Sequence, residues 1–329
     1  MAVARAQQTL PDPILNPGLK NFLESNPLGR LGIRAGRQMR QWLRALRDPV
    51  QHKIWMRQWI LPLRNLVVWN RPIPVSIDGT SIRMVPRGET AGDIWAGLRC
   101  ETHEVSFILD VVEPGMTFFD VGANAGLFSL LAAKKIGSKN VFAFEPCSAT
   151  CDLLRQNLRL NHLEDVFVTQ AAVGESVSEG VLQVNARGRD ALNTLGQPVH
   201  PSSVVVGQEK VRITTIDAFI ADHQIPRVDV MKVDIEGAEL MLFRGARELL
   251  RREDSPLIIY EGFGFLTRGF GYHPVEILWL LESYGFTLLL LDGDTGKISA
   301  LDANYQYDSM VIAVKPGHPA YQRLCGAAQ

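Results

Sequence analysis

The stretch VDVMKVDIEGAE, Val228 to Glu239, decides how this chain folds. Its first half is an apolar, β-branched run that reads as a buried strand. Its second half puts Asp234 and Glu236 at the strand's end, directly before Gly237. A solvated turn explains two such acids, and so does a reaction centre at a strand tip, so the surrounding pattern has to separate the two readings.

On both sides of this strand, short apolar runs alternate with amphipathic helical patterns. In chain order the spacing predicts a helix over 102–112, strand MTFFDV, helix 126–136, strand NVFAFEP, helix 148–160, strand VFVTQAAV and helix 216–222. After the Val228–Asp234 strand come helix 237–251, strand PLIIYEG, helix 274–284, and the strands FTLLLLD and SMVIAVK. Strands of this kind, separated by helices, form a mostly parallel α/β sheet covered on both faces. The last two strands have no helix between them and are expected to make an antiparallel edge hairpin. Residues 73–86, IPVSIDGTSIRMVP, alternate around Asp78-Gly79, the signal of a tight hairpin, and give a small β cap over 73–100. The segment 180–213 interrupts the rhythm and reads as an inserted hairpin over a sheet edge. The organisation is thus a basic helical extension (1–72), the cap, an α/β domain (101–315) and a tail (316–329).

Composition fits that reading. With 329 residues, 46% hydrophobic and 21% charged, the chain can bury a large core and is neither disordered nor membrane-spanning in character. Its longest apolar run, VEILWLLESYGFTLLLL, is cut by Glu282 and Gly285, short of the ~20 residues a membrane helix needs. Four irregularly spaced cysteines and a start without an apolar signal core give a cytoplasmic expectation. Net charge is −1, yet residues 1–71 carry twelve Lys/Arg against three Asp/Glu. The basic, Trp-containing stretches 31–46 and 52–63 read as solvated helical faces, and peripheral membrane contact is the alternative.

The strand–turn–helix TFFDVGANAGLFSLLAA ends its strand at Asp120 and turns through Gly122, Asn124 and Gly126. Glycines here let backbone approach a ligand at a helix N-terminus. The dinucleotide fingerprint fails, because Asn124 and Leu127 stand where glycines are required. The pattern D-x-G-x-N-x-G suits S-adenosylmethionine, whose cationic methionine end a carboxylate such as Asp120 can hold directly or through water. Glu145 ends the next strand 23 residues after Gly122, where an acid can accept hydrogen bonds from ribose hydroxyls.

Together, FFDVGANAG, FAFEP, NLRLN, ITTIDAF, MKVDIEGAELMLFRGA and IIYEGFG occur in the order and approximate spacing found in FkbM-type methyltransferases, which this chain resembles from about Trp95 to Lys315. The resemblance implies a class I methyltransferase, Rossmann-like fold of seven strands, S-adenosylmethionine as methyl donor, and an oxygen acceptor on a sugar, glycan, polyketide or similar small molecule. It places Asp120, Gly122, Asn124 and Glu145 along the cofactor, Glu101 ahead of the first helix, and Ala171 and Ala172 beside the adenine. Cys100 departs from the aromatic residue the family places before Glu101.

Methyl transfer to a hydroxyl requires alignment and removal of the acceptor's proton. Asp234 and Glu236 at one strand tip and Glu261 at the next are the candidates, with His103 as a second base. Two mechanisms stay open. In the favoured one a carboxylate, foremost Asp234, is the base and no metal is used; in the other, Asp234 and Glu261 hold a divalent cation. The loop GFGFLTRGFGY after Glu261 alternates glycines with aromatic residues, and reads equally as a lid over the acceptor or as packing. The expected partner is a small-molecule or glycan acceptor, not nucleic acid, with self-association left open. A binding or scaffold protein that keeps the fold without catalysis is the rival reading, and the acids at three positions weigh against it.

Overall fold

A computed structural model describes residues 71–87, 90, 102–186, 189–301, 305 and 307–328. The basic stretches 31–46 and 52–63, Glu101 and the rest of 91–100 lie outside the described residues. The hairpin around Asp78-Gly79 pairs β1 (Ile73–Ile77) with β2 (Thr80–Met84) antiparallel, and both turn residues have positive φ. Ile73, Val75, Ile77, Ile82 and Met84 point inward while the residues between them face solvent.

Helix α1 (Thr102–Val111) leads into β3 (Phe118–Val121), α2 (Leu127–Ile136), β4 (Val141–Phe144), α3 (Ser148–Leu160) and β5 (Phe167–Thr169). The run VFVTQAAV is two strands, not one. After Thr169 the chain leaves the main sheet, and β6 (Ala172–Val173) joins β7 (Ser178–Asn185) and β8 (Val205–Thr214) in a separate three-stranded sheet. The bend is tight, with the Ala171 amide donating to the Thr169 carbonyl at 3.0 Å. Then follow α4 (Ile216–Asp222), β9 (Val230–Val233), α5 (Glu239–Arg244), α6 (Arg247–Arg251), β10 (Leu257–Glu261), α7 (Val275–Ser283), β11 (Thr287–Leu291), β12 (Ile298–Ala300), β13 (Met310–Val314) and α8 (Tyr321–Ala327).

The eight-stranded sheet has the order β5-β4-β3-β9-β10-β13-β11-β12. Strands β5 to β10 are parallel, and β13 runs antiparallel between β10 and β11. This is the class I arrangement implied by the sequence, extended by the short β12. The last apolar strands do pair antiparallel, but β12 intervenes in the chain and takes the edge. Burial explains the order: Val311 to Val314 are fully buried between two neighbours, whereas the three residues of β12 keep exposure suited to an edge.

Alternate residues of the central strands feed two apolar layers, one on each face. Phe118, Val230 and Ile259 join one, and Phe119, Met231 and Tyr260 the other. The helix expected over 237–251 is broken at Gly245, where a side chain would come 2.0 Å from the Gly174 carbonyl oxygen. Beyond Lys315, where a tail is expected, α8 buries Leu324. No described helix is long and apolar enough to cross a membrane.

Asn157 on α3 and Asn161 at its C-cap, one turn apart, tie the hairpin to this frame. Asn161 accepts from the Arg83 amide at 2.8 Å and donates to its carbonyl at 2.7 Å. Asn157 accepts from the Val85 amide at 2.8 Å and donates to the Ala125 carbonyl at 2.8 Å. A single buried amide thus joins the cap to the glycine-rich turn after β3.

Candidate active site

The sheet's order reverses between β3 and β9: the chain steps outward from β3 to β4 and β5, then returns to β9 on the other side. In open α/β sheets, ligands settle at the carboxyl ends of strands at such a point. A partly open cleft lies there. Its wall includes Gly122, Asn124, Glu145, Ala171 and Ala172, together with Lys232, Asp234 and Glu236.

The turn after β3 is shaped by close contacts. Gly122 has φ +79°, and a Cβ on it would lie 1.7 Å from the Asp234 carbonyl oxygen, so only glycine lets the two strand ends touch. Asn124 also adopts positive φ, and its amide donates to Glu145 Oε2 at 3.0 Å. Gly126 is not part of the cleft wall; φ +93° and the side chain of Leu154 behind it require glycine. Glu145 Oε1 accepts from the Cys147 amide at 2.9 Å. Each carboxylate oxygen can accept a further bond, so the group remains able to receive hydroxyl donors. Burial pushes its carboxyl up to about 7 despite those two amides.

Asp120, expected to hold a cofactor's cationic end directly or through water, is not among the residues of the cleft wall. Register pairs it with Lys232 on the adjacent parallel strand, so both side chains leave the same face of the sheet. Its carboxylate is fully buried under the first turn of α2, where Ser129 donates to it at 2.5 Å and Lys232 Nζ stands 3.8 Å away. Burial dominates and raises its pKa. Lys232 is the residue that sequence reasoning left without a role. Its ammonium donates to the Gly122 carbonyl at 3.0 Å, pairs with Asp234 Oδ2 at 3.2 Å and lies 5.0 Å from the centre of the Phe128 ring. A lysine inside an otherwise apolar, buried strand was the signal available for it.

The turn after β9 brings the acids together. Glu236 and Gly237 have consecutive positive φ values of 54° and 99°. The buried carboxylate of Glu239 steadies the turn by accepting the Ile235 and Gly237 amides at 3.3 and 3.2 Å, and Thr194 Oγ1 donates to the Glu236 carbonyl at 3.1 Å. One carboxylate oxygen from each of Asp234, Glu236 and Glu261 lies within 4.8 Å of the other two. At an effective dielectric near 20, each ionised pair at that separation costs about 3 kcal/mol. Burial first, then the charges of Asp234, Glu236 and Glu239, push Glu261 well above the ordinary carboxylate range.

His103 does not join them: its ring lies against the turn at Gly296 beside β11, and it is absent from the cleft wall. The loop after Glu261 packs on the inserted segment. Leu266 and Thr267 are buried, the Gly269 carbonyl accepts the Gln197 amide at 2.9 Å, and Phe270 lies against Gly196 and Gly237. Asp190 and Asn193 from the insertion also reach the cleft, and nothing in their local sequence announces it.

Asp120, Glu145, Glu239 and Glu261 all hold protons more tightly folded than unfolded. The stability this contributes is fully present below the ordinary carboxylate pKa and is lost as pH rises through about 7 for Glu145 and Glu239. The urea midpoint of the ligand-free protein is therefore expected to fall between about pH 5 and about pH 8. A flat or rising midpoint over that window would contradict the burial of these groups.

The family described as methyltransferase FkbM domain matches residues 120–288. Hexuronic acid methyltransferase AglP of Haloferax volcanii is 25% identical over 203 residues, covering 60% of this chain and 76% of that protein. Methyltransferase sdnD of Sordaria araneosa is 31% identical over 156 residues, 39% of this chain and 60% of that protein's length. The 31-O-demethyl-FK506 methyltransferase FkbM of Streptomyces tacrolimicus is 26% identical over 208 residues, 54% of this chain and 75% of that protein.

Proposed function

This chain belongs to the FkbM methyltransferase family, and from there we propose that it is an S-adenosylmethionine-dependent O-methyltransferase acting on a hydroxyl of a small molecule, a sugar or glycan, or a polyketide-like acceptor. The observation that carries the reading is the meeting, at one cleft, of a glycine turn, the buried acid Glu145 and the carboxylates Asp234 and Glu236, with Glu261 of the neighbouring strand tip within 4.8 Å of both. S-adenosylmethionine, when bound, supplies an electrophilic methyl group on a sulfonium. In this reading Gly122 and Asn124 provide backbone against it, Glu145 accepts from its ribose, and Ala171 and Ala172 leave room for its adenine. Asp120 acts at one remove, through Lys232 and Ser129.

The acids of the β9 and β10 tips handle the acceptor. They hold its hydroxyl in line and supply negative charge where its proton departs. The names of two relatives support an oxygen acceptor, one specifying a hexuronic acid and the other a 31-O position.

The test is direct. The full chain, incubated with methyl-labelled S-adenosylmethionine and panels of hydroxylated sugars and polyketides, is expected to label at least one hydroxyl acceptor. It is also expected to bind S-adenosylhomocysteine, and loss of that binding in Glu145→Ala is the accompanying sign. Failure of the wild-type chain to bind S-adenosylhomocysteine would sink the reading.

A further inference from the structure

We propose that Phe263, Phe265 and His200 form the acceptor platform beside the cleft, on which a sugar ring lays its apolar C–H face while its hydroxyls meet the polar groups next to Glu236. The inference rests on the methyltransferase reading and deepens it by naming the acceptor class as a sugar ring.

The loop after β10 carries three phenylalanines, and they do not share one environment. Phe270 is packed, with its ring against Gly196 and Gly237. Phe263 and Phe265 join neither apolar layer of the sheet, and Phe265 is 37% exposed. Their planes lie 21° apart with centroids at 6.3 Å, an offset arrangement that leaves ring surface open. The His200 ring, from the inserted segment, stands 5.7 Å from that of Phe265. Two separate segments thus build one aromatic row outside the core. Single exposed apolar residues are ordinary, whereas a contiguous group calls for an occupant.

The position of the row identifies that occupant. Phe263 is two residues beyond Glu261, so its Cα lies at most about 7 Å from the tip of β10. The intervening backbone is fixed, because the Gly262 and Gly264 amides donate to the Ser309 and Tyr307 carbonyls at 3.1 and 2.8 Å. On the other flank, Thr194 Oγ1 ties the inserted segment to the Glu236 carbonyl, and the Gln197 amide ties it to the Gly269 carbonyl. A small hollow whose wall includes His200, Leu266 and Glu236 lies between the row and the acid turn. Glu236 also lines the main cleft, so the two spaces share a wall. A molecule resting on the row therefore reaches the acids that the proposed transfer requires.

The chemistry of the hollow narrows the class. A pyranose ring has C–H bonds on its face and hydroxyls around its rim, so it needs an aromatic surface and hydrogen-bonding groups side by side. Nδ1 of His200 accepts the Ser202 amide at 3.1 Å, which leaves the proton of the neutral ring on Nε2 for donation to a hydroxyl. Ser203 Oγ donates to Asn185 Oδ1 at 2.7 Å and keeps its lone pairs for an incoming donor. The exposed side chain of Gln197 adds both a donor and an acceptor to the same wall. A wholly apolar acceptor would strip water from these groups and give nothing in return.

The experiment uses the full chain saturated with S-adenosylhomocysteine. Saturation-transfer NMR is recorded with the methyl glycosides of glucose, galactose, mannose, rhamnose and glucuronic acid, and with an apolar macrolactone. At least one glycoside is expected to receive saturation, most strongly at its ring C–H protons. Its affinity should weaken about fivefold or more in Phe263→Ala and in Phe265→Ala, and be kept in Phe265→Tyr, which retains the ring. Unchanged S-adenosylhomocysteine affinity in the alanine variants establishes that they are folded. Absence of transfer to every glycoside, transfer to the macrolactone alone, or equal glycoside affinity in folded Phe265→Ala overturns the proposal. The methyltransferase reading is decided separately, by S-adenosylhomocysteine binding to the wild-type chain.

Discussion

An Asp234→Asn protein is expected to fold, to bind S-adenosylhomocysteine within a few-fold of the wild type, and to transfer methyl groups about 10² to 10⁴ times more slowly. Asparagine keeps the shape of the side chain and can still offer an oxygen to Lys232, which also retains the Gly122 carbonyl. What disappears is a negative charge at the tip of β9, where the proposed acceptor must give up its proton. The same loss follows whether that charge takes the proton or helps hold a cation. Single-turnover kinetics separate chemistry from binding, and a variant turning over at the wild-type rate would remove Asp234 from the mechanism.

Gly122→Ala is the second large effect, and it acts on structure. A Cβ at this position would sit 1.7 Å from a backbone oxygen of Asp234, an atom that no rotamer change can move aside, and the residue has φ +79°. Relieving the overlap means separating the ends of β3 and β9, which form the floor of the cleft. The expected outcome is a loss of about 3 kcal/mol or more in urea unfolding, together with loss of S-adenosylhomocysteine binding. Gly115→Ala is the control, because Gly115 has φ +90° with nothing within 4 Å of an added Cβ. That change should cost only the backbone strain, about 1 to 2 kcal/mol, and leave binding intact. Equal effects from the two substitutions would contradict the close approach at Gly122.

The sequence was most legible where a local rule had a local cause. Helices over 148–160 and 216–222 stand where the apolar spacing places them, since amphipathic period and capping residues act within a few turns. Thr215 caps the second of these by accepting the Ala218 amide at 3.0 Å. Errors arose where a distant backbone intruded. Gly245 breaks a helix because the Gly174 carbonyl lies against it, and Gln170 ends a strand because the chain leaves for another sheet.

The site divides along the same line. Glu145, Asp234, Glu236 and Glu261 could be placed from sequence, because a residue ending a parallel strand must emerge at the sheet's carboxyl edge. Asp120 could not, since its direction depends on register with Lys232 and on Ser129 beneath α2. Nor could His103, which a helix start and the Gly296 turn hold against each other. Asp190 and Asn193 reach the cleft only because the inserted sheet folds back over it.

By itself, then, the sequence determined the alternation of strands and helices, the glycine turn and the acids at the strand tips, all of which follow from periodicity and backbone stereochemistry. Tertiary structure alone decided which acids meet. Carboxylates 27 residues apart in the chain, Asp234 and Glu261, come within 4.8 Å because β9 and β10 are hydrogen-bonded neighbours and the turn at Glu236 and Gly237 folds back between them. Charge repulsion, burial and ion binding depend on that separation in space, and no spacing along the chain encodes it.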